Sequence, residues 1–301
     1  MKELSLMTPA HWEDYELLDS GQGRKLERFG RVVTARPEPQ ALWKTSLSEA
    51  EWAARAEAVF QRSRGSDERG QWQLRPGTPQ QWFVTYRNPA GLNLRMRMGL
   101  TSFKHVGLFP EQAANWDYIY DTVQALRREG VERPAVLNLF AYTGGASLAA
   151  CAAGAEVTHV DSVRQTVSWS RENMEASGLD GIRWMVEDAL KFVRREVRRQ
   201  RRYHGIILDP PSYGRGPDGE KWVLEEHIGE MLACCAELLA DEHCFVVLNL
   251  YSMGLSALLA RTLAEASFPQ LNGAQCEQGE LFVEDSFGKQ LPLGVFLRFR
   301  K

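Results

Sequence analysis

The sequence predicts an α/β fold in which helices cover a mostly parallel seven-stranded sheet, with a smaller amino-terminal α+β domain. From about Ala135 onwards, short apolar runs alternate with helical periodicity, which is typical of parallel strands joined by helices. The chain closes with two β-rich runs that have no helical pattern between them. The first part of the chain follows neither pattern. We therefore expect two domains, residues 1–110 for substrate recognition and residues 111–301 for cofactor binding and catalysis.

The carboxyl-terminal part is predicted to hold five strand–helix units and a final hairpin. Its strands are predicted at Val136–Ala141, Glu156–Asp161, Ile182–Val186, His204–Asp209, Cys244–Tyr251, Gln275–Val283 and Pro292–Arg300. Its helices are predicted at residues 146–153, 164–177, 189–201, 220–239 and 255–265. Continuous apolar runs such as Gly205–Leu208 indicate strands that are buried on both faces.

The amino-terminal part is predicted to contain short strands around one helix. The strands are predicted at Tyr15–Leu18, Arg31–Ala35, Gln81–Arg87 and Leu92–Met98. A helix is predicted near residues 48–61. Residues 62–80 are rich in Gly, Ser, Asp and Pro and are predicted to form an exposed loop.

The composition is that of an ordinary globular protein, with 44% apolar and 25% charged residues among 301. No apolar run approaches the roughly 18 residues that a membrane span needs. The segment Met1–Leu4 carries no apolar signal core, so we expect a cytoplasmic location and no membrane. The five cysteines have no metal-ligand spacing and their odd number argues against a disulfide framework, so no metal site is expected.

Charge is distributed unevenly along the chain. Residues 1–110 contain 16 Lys and Arg against 12 Asp and Glu, whereas the remaining residues contain 20 against 27. A polyanionic partner would therefore meet the amino-terminal domain. The basic run at residues 191–202 is interpreted as a solvated outer face of a helix, with phosphate contact as the alternative.

A ligand site is predicted where the first strands end. The first strand leads into Gly144-Gly145, and glycines before a helix allow the backbone to approach a ligand. The pattern G-x-G-x-x-G is missing, which argues against a dinucleotide cradle and favours a nucleoside without phosphates. Asp161 is predicted to accept hydrogen bonds from the ribose hydroxyls. A carboxylate of Glu187-Asp188 is predicted to accept a hydrogen bond from the adenine amino group. The structural alternative is that Asp188 and Ser162 cap the following helices.

A second signal is Asp209-Pro210-Pro211-Ser212-Tyr213, directly after a buried strand. The carboxyl ends of strands in open α/β sheets are where ligands bind. Proline fixes φ, so this turn holds its carbonyl groups and the carboxylate of Asp209 in one arrangement. Such a fixed arrangement suits an enzyme that aligns a nucleophile with the group it receives.

These motifs together resemble S-adenosylmethionine-dependent methyltransferases related to bacterial large-subunit (23S) ribosomal RNA enzymes. The resemblance covers about residues 80–300. Within this range, Phe103–Gln112 and Val160-Asp161-Ser162 are further motifs that match. It implies a class I methyltransferase (Rossmann-like) fold with S-adenosyl-L-methionine as cofactor, and places Lys104, His105 and Gln112 at its methionine end. The cofactor-binding residues that it implies or that the spacing predicts are Lys104, His105, Gln112, Asn138, Phe140, Tyr142, Thr143, Gly144, Gly145, Asp161, Ser162, Asp188 and Asp209.

The chain departs from the enzymes that methylate carbon 5 of cytosine. Those enzymes use a thiolate, commonly placed after the fifth strand, whereas Tyr251 or Ser252 stands there in this chain. No cysteine follows Pro210-Pro211. Tyr and Ser are poor nucleophiles without an activating partner, so covalent addition to cytosine is not expected. The amino terminus also shows no clear resemblance to the small basic RNA-binding domain of such enzymes.

The predicted mechanism is direct in-line transfer to a lone pair of the acceptor. Asp209 and the Pro210 carbonyl would accept hydrogen bonds from the acceptor, and Tyr213 would stack on a planar base. The expected partner is ribosomal RNA. The alternatives are a protein amine or small-molecule acceptor, or a non-catalytic cofactor- or RNA-binding protein. The sequence leaves the acceptor atom and the oligomeric state open.

Overall fold

The structure is a computed structural model that describes residues 3–10, 12–65, 68–251 and 255–301. The amino-terminal strands are β1 (Ser5–Met7), β2 (Tyr15–Gly21), β3 (Arg24–Phe29), β4 (Val32–Pro37), β5 (Ala58–Arg62), β6 (Gly70–Leu74), β7 (Gln81–Arg87) and β8 (Asn93–Gly99). Helix α1 (Glu49–Arg55) lies between β4 and β5. A 3-10 turn at Pro110–Gln112 leads into helix α2 (Ala113–Arg128).

Strands and helices then alternate to the end of the chain. The strands are β9 (Ala135–Leu139), β10 (Glu156–Asp161), β11 (Arg183–Val186), β12 (Gly205–Leu208), β13 (Tyr213–Arg215), β14 (Lys221–Val223), β15 (Phe245–Leu250), β16 (Gln275–Glu284) and β17 (Gln290–Arg300). The helices are α3 (Gly145–Ala152), α4 (Arg164–Ala176), α5 (Ala189–Arg198), α6 (Leu224–Leu238) and α7 (Ala257–Ser267), followed by a 3-10 turn at Pro269–Leu271.

The large sheet has the order β1-β16-β17-β15-β12-β9-β10-β11. Strands β15, β12, β9, β10 and β11 run parallel, and β17 pairs antiparallel with both β15 and β16. The predicted α/β fold and its seven strands are confirmed. An eighth strand, β1, pairs with β16 and was not predicted, because three residues without full alternation carry no periodic signal. The strand order reverses between β9 and β12, which is where ligands bind in such sheets.

The amino-terminal sheet has the order β2-β3-β4-β5-β6, and β7 pairs with β8 in a separate hairpin. The helix predicted near residues 48–61 is too long. It begins with a capping box between Ser48 and Glu51 and ends at Arg55, and β5 occupies the rest. The loop predicted at residues 62–80 contains β6, and β3 was missed.

Both parts of the chain contribute to one apolar core. The rings of Trp12 and Tyr86 lie 5.8 and 5.6 Å from the ring of Trp116 on α2, a helix that was not predicted. The long hairpin β16–β17 also holds the amino-terminal sheet, because Ser20 donates a hydrogen bond to Asp285 at 2.8 Å. The amino-terminal sheet is therefore fixed against the large sheet. Within the described ranges, no helix has the length and apolarity needed to cross a membrane.

Candidate active site

The parallel strands end along one edge of the large sheet and carry the predicted residues there. Asp161 ends β10, Asp188 follows β11, Asp209 follows β12 and Tyr251 follows β15. Parallel pairing of β9 with both β10 and β12 places the glycine turn in the middle of this edge. The sheet order thus brings together three predicted acidic residues that are far apart in the sequence.

The turn after β9 is fixed to Asp161. The backbone N–H groups of Tyr142 and Val163 donate to the two oxygens of the Asp161 carboxylate, each at 2.9 Å. Phe140 and Tyr142 adopt positive φ angles of 55° and 48°, which non-glycine residues rarely do. Burial raises the pKa of Asp161 to about 6 although both hydrogen bonds oppose this shift.

Both glycines of the turn pack closely against other parts of the protein, which was not predicted from the sequence. A Cβ on Gly145 would lie 2.5 Å from the Trp116 ring, so the ring occupies the space beside this glycine. Gly144 caps α3 with a φ of +92°, and its Cβ would lie 3.2 Å from the Cβ of Ser170. Packing within the protein therefore favours glycine at both positions, and their predicted approach to the cofactor stays a prediction.

Asp188 and Ser162 differ in their roles as helix caps. Asp188 caps α5 by accepting a hydrogen bond from the backbone N–H of Lys191 at 2.8 Å. Ser162 does not cap α4, because the N-cap position is Val163 and has no side-chain hydrogen bond. The cap occupies one oxygen of Asp188, so its predicted contact with adenine stays a prediction, as does the cofactor contact of Ser162.

The segment before α2 presents a buried acceptor atom. His105 Nε2 and Lys104 Nζ each lie 2.8 Å from an oxygen of the Glu68 carboxylate. Because Nε2 donates to Glu68, we assign Nδ1 as the atom that carries a lone pair. Nδ1 is buried and has no hydrogen-bond partner among the described residues. Burial lowers the pKa of His105, which favours this neutral form.

Three predicted polar residues make hydrogen bonds within the protein. Gln112 Oε1 accepts hydrogen bonds from the side-chain amides of Asn115 and Asn249, both at 3.1 Å. Asn138 is buried and donates to Ser147 Oγ at 2.9 Å, which holds the base of the glycine turn. Thr143 donates its hydroxyl to the Gly107 carbonyl and so links the turn to the segment before α2. Their direct contacts with the cofactor stay predictions.

Asp209 and Tyr213 stand at the opening of a hairpin formed by β13 and β14. Pro210 is buried, and the Pro211 carbonyl accepts a hydrogen bond of 2.7 Å from Trp222 Nε1. The Trp222 ring packs on Phe140 at 4.8 Å, so the hairpin is held against the glycine turn. This hairpin was not predicted, because residues 220–223 were assigned to the following helix. Tyr213 is 52% exposed, which leaves its ring available for stacking.

Asp209 differs from Asp161 in its partners. No hydrogen bond reaches its carboxylate from the described part of the chain, and burial alone raises its pKa to about 6. A partly buried carboxylate without donors is costly unless a ligand supplies them. The geometry therefore suits binding of an N–H or O–H group at Asp209.

The amino-terminal sheet contributes a network of buried charges that was not predicted from the sequence, although Lys25 was considered as a substrate contact. Lys25 Nζ lies 3.2 Å from Glu38 and 3.6 Å from Glu27, and all three side chains are buried. Tyr251 OH donates to Glu38 at 3.4 Å, which brings this network to the end of β15. Lys25 pairs with Arg36 across β3 and β4. Lys25 and Glu27 at alternate positions of β3, together with Arg36 on β4, were the signal that could have found this network.

Metal ligands and cysteines give no sign of a reactive centre at this edge of the described sheet. No group of three metal-ligating side chains occurs within it. Burial raises the pKa of Cys151, Cys234, Cys235 and Cys244, and Cys244 lies at the opposite edge of the sheet, before β15. Tyr251, which stands where a catalytic cysteine was expected, is 41% exposed, and Ser252 lies outside the described residues.

The basic run on α5 is largely paired with acidic side chains. Lys191 contacts Asp218 and Glu220 at 2.9 and 3.2 Å, and Arg194 contacts Glu230 at 2.6 Å. Ion pairs with the hairpin and with α6 therefore account for Lys191 and Arg194, and the interpretation of the whole run stays a prediction.

The donor and acceptor groups at this edge fit a nucleoside that carries an amino-acid tail. Asp161 and Asp188 offer carboxylates for hydroxyl and amino groups, and His105 Nδ1 is a buried acceptor without a partner. Positively charged side chains that would cradle a pyrophosphate are missing from the described turn after β9.

Comparison with known proteins identifies the family. A family model described as S-adenosylmethionine-dependent methyltransferase matches residues 23–276. A solved SAM-dependent methyltransferase from Agrobacterium tumefaciens is 35% identical with a TM-score of 0.87, over 98% of this chain and 93% of that one. A putative methyltransferase complexed with SAH is 18% identical with a TM-score of 0.71, over 96% of this chain and 76% of that one, and shares the fold.

Curated relatives match a smaller part of the chain. The ribosomal RNA large subunit methyltransferase K/L of Shewanella frigidimarina is 29% identical over 150 residues, which is 48% of this chain. The matched region is 20% of that protein, so the chain spans about a fifth of the length of this relative.

Proposed function

This chain belongs to the S-adenosylmethionine-dependent methyltransferases, and we propose that it methylates a nucleobase of large-subunit ribosomal RNA by direct in-line transfer, without a covalent cysteine adduct. The observation that carries the proposal is Asp209. Its partly buried carboxylate lies at the switch point of the sheet and accepts no hydrogen bond from the described residues. The names of the K/L relatives support the RNA acceptor.

Within this proposal the cofactor supplies an electrophilic methyl group on a sulfonium centre. Asp161, Asp188 and His105 would hold its polar groups, and Lys104, Gln112 and the glycine turn would line its methionine end. Asn138, Phe140, Tyr142, Thr143 and Ser162 complete the proposed binding set, and Asp209, which was also predicted to bind the cofactor, is assigned to the acceptor because no hydrogen bond from the described residues reaches its carboxylate. Binding of the cofactor and the acceptor would exclude water from this edge, which would strengthen each of these polar contacts.

Asp209, Pro210 and Tyr213 are proposed to act on the acceptor. The Asp209 carboxylate and the Pro210 carbonyl would accept hydrogen bonds from an acceptor N–H and so direct the nitrogen lone pair. Tyr213 would stack on the base, which contributes about 1–3 kcal/mol in other nucleic-acid complexes. A base within a duplex must first be flipped out of its stack. Residues 1–110 are proposed to recognise the RNA.

A protein amine or a small molecule is the second candidate acceptor. The net charge of −3 and the ion pairs of α5 favour it, because most proteins that bind RNA present an unpaired basic surface.

Label transfer from S-adenosylmethionine with a radioactive methyl group tests the proposal. Ribosomes and total RNA from a strain that lacks the gene would be incubated beside protein and metabolite fractions from the same cells. The proposal expects label in large-subunit RNA, with the Asp209→Ala variant as the control that removes transfer. Label confined to protein or metabolites would overturn the RNA acceptor and keep the methyltransferase chemistry.

A further inference from the structure

One segment of the amino-terminal part carries positive charge only. Residues 69–110 contain six Lys and Arg and no Asp or Glu. Lys104 and Arg97 each lie 2.8 Å from a glutamate outside this segment, which neutralises their charge. Arg87 and Arg95 are exposed and form no ion pair with another described residue. Their charge is therefore available to an anionic partner.

The exposed side chains of hairpin β7–β8 lie on one of its two faces. Side chains alternate along both strands, so that Trp82 and its even-numbered neighbours are buried and the odd-numbered residues of β7 are exposed or half-buried. Phe83 pairs with Arg97 across the hairpin, and Thr85 pairs with Arg95. Arg95 Cζ lies 4.7 Å from the centroid of the Phe83 ring, which is 42% exposed. This face thus presents an aromatic ring with an arginine stacked on it.

A second exposed ring lies beside the segment that carries predicted cofactor residues. Phe103 is 41% exposed, and Arg69 Cζ lies 5.1 Å from its ring centroid. His105 follows two residues later, and the ring of Phe109 lies 5.0 Å from the His105 ring and 5.2 Å from the Tyr142 ring. A partner that stacks on Phe103 would therefore lie next to the predicted cofactor site.

The hairpin is fixed relative to the turn after β9. The side chain of Asn173 on α4 accepts a hydrogen bond from the Arg97 backbone N–H at 2.7 Å and donates to the Thr143 carbonyl at 2.9 Å. Trp169 Nε1 donates to the Arg97 carbonyl at 2.9 Å. Because α4 bonds both β8 and this turn, a partner held on the hairpin has a defined position relative to the cofactor site.

We propose that the exposed face of hairpin β7–β8, together with Phe103, binds unpaired nucleotides that flank the target base of the RNA substrate. This inference rests on the proposed RNA acceptor. Unpaired bases stack on aromatic rings and on guanidinium planes, and phosphates are bound by Arg and Lys. Phe83 and Phe103 supply the rings, and Arg87 and Arg95 supply charge that no acidic residue of the segment opposes.

Phe83→Ala and Arg95→Ala test the two kinds of contact separately. Fluorescence anisotropy of a labelled single-stranded RNA of mixed sequence would measure Kd at several salt concentrations. Label transfer to large-subunit RNA from a strain that lacks the gene would measure KM and kcat. Phe83→Leu keeps an apolar side chain without a ring and serves as the second variant should Phe83→Ala fold poorly.

The chain offers a matched control for each variant. Phe287 is 50% exposed and has Lys289 Nζ 5.6 Å from its ring, but two aspartates pair with that lysine. Phe287→Ala therefore removes a similar ring from a place without available charge. Arg198 is an exposed arginine of the basic run on α5, and Arg198→Ala removes a charge from that surface instead.

We expect Phe83→Ala to weaken RNA binding about 5–100-fold, because a base loses its stacking partner, and to leave the salt dependence unchanged. Arg95→Ala should weaken binding and lower the slope of the binding constant against salt, on logarithmic axes, by about 0.7 for one lost phosphate contact. Both variants should raise KM and leave kcat and SAH affinity unchanged. Both controls should match wild type in all of these quantities.

Wild-type RNA affinity in Phe83→Ala and Arg95→Ala would overturn the inference even if large-subunit RNA is labelled, and the proposed function would then stand. Equal losses in Phe83→Ala and Phe287→Ala would also overturn it, because the effect would not be specific to this face. A loss confined to Arg198→Ala would assign the RNA to α5. Specific losses on the hairpin with label only in protein or metabolites would support the surface and refute the proposed acceptor.

Discussion

Two carboxylates at the same edge of the sheet, Asp161 and Asp209, have pKa values raised to about 6 for the same reason, burial, yet differ in their partners. Asp161 accepts two backbone hydrogen bonds, and no hydrogen bond from the described residues reaches Asp209. The protein thus orients Asp161 before any ligand binds, whereas a ligand has to orient Asp209. We therefore predict that Asp161 belongs to a preformed cofactor site and Asp209 to an acceptor site that is completed on binding.

The largest effect is expected at Asp209, because the proposed mechanism uses its carboxylate to orient the acceptor N–H. Asp209→Ala should lower methyl transfer by about 10²–10⁴-fold and leave SAH affinity within about twofold. Label transfer and calorimetry measure the two quantities. Asp241→Ala, an exposed position at the opposite edge of the sheet, is the control and should change neither. Loss of SAH binding together with transfer would place Asp209 in the cofactor site and remove the contrast.

Asp161→Asn should have a smaller effect and act on binding. Loss of a charged acceptor costs about 1.5–3 kcal/mol, so SAH affinity should fall about 10–100-fold. Because the carboxylate is the form that accepts hydroxyl groups, wild-type affinity should also weaken as the pH falls below about 6, and this dependence should flatten in the variant. Calorimetry across pH tests both, with Asp241→Asn as control. An unchanged SAH affinity would show that Asp161 fixes the turn after β9 and does not bind the cofactor.

Sequence reasoning succeeded where a local pattern carries the information. The apolar runs before Asp161 and Asp209 predict buried parallel strands, and the carboxyl ends of such strands share one edge. Three acidic residues could therefore be placed together without knowledge of any contact. Hairpin β13–β14 was missed because Lys221–Val223 has no apolar alternation and is held by Trp222, whose partners are set by the tertiary structure.

The residues that were missed depend on long-range contacts. The charged strand β3 reads as solvent-exposed because lysine and glutamate are seldom buried, and its burial depends on ion pairs with β4. Gly145 was interpreted as a ligand contact, since no local pattern could reveal the ring of Trp116 beside it.

Gly145→Ala tests whether the glycine turn is shaped by packing or by the ligand. Its Cβ would lie 2.5 Å from the Trp116 ring, and overpacking of this kind costs about 1–3 kcal/mol. Denaturant unfolding should show this loss of stability, whereas the SAH affinity of the folded variant should change little. Gly229→Ala is the matched control, because it lies on α6 with open space around it and should gain up to about 1 kcal/mol. A stable Gly145→Ala variant that no longer binds SAH would favour approach of the ligand.

The smallest effect is expected from the contact between α5 and hairpin β13–β14. This contact connects the predicted cofactor site with the predicted acceptor site. The hairpin begins just after Asp209 and comes close to Asp188, since a Cβ on Gly216 would lie 3.0 Å from the Cβ of Asp188. Lys191 pairs with Asp218 and Glu220 of this hairpin, but its side chain is 53% exposed, and exposed ion pairs contribute little to stability.

Lys191→Ala should therefore shift the Tm less than Gly145→Ala does and increase amide exchange in residues 213–223. SAH affinity should change less than about fivefold, and the change should diminish at high salt, because salt screens the wild-type pairs. Lys221→Ala is the control, since Lys221 lies on the same hairpin with a looser pair at 3.9 Å to Glu226. Equal amide exchange in the Lys191→Ala and Lys221→Ala variants would mean that the ion pairs of Lys191 do not hold the hairpin. The contact between the hairpin and the turn after β9 would then depend on the packing of Trp222 on Phe140.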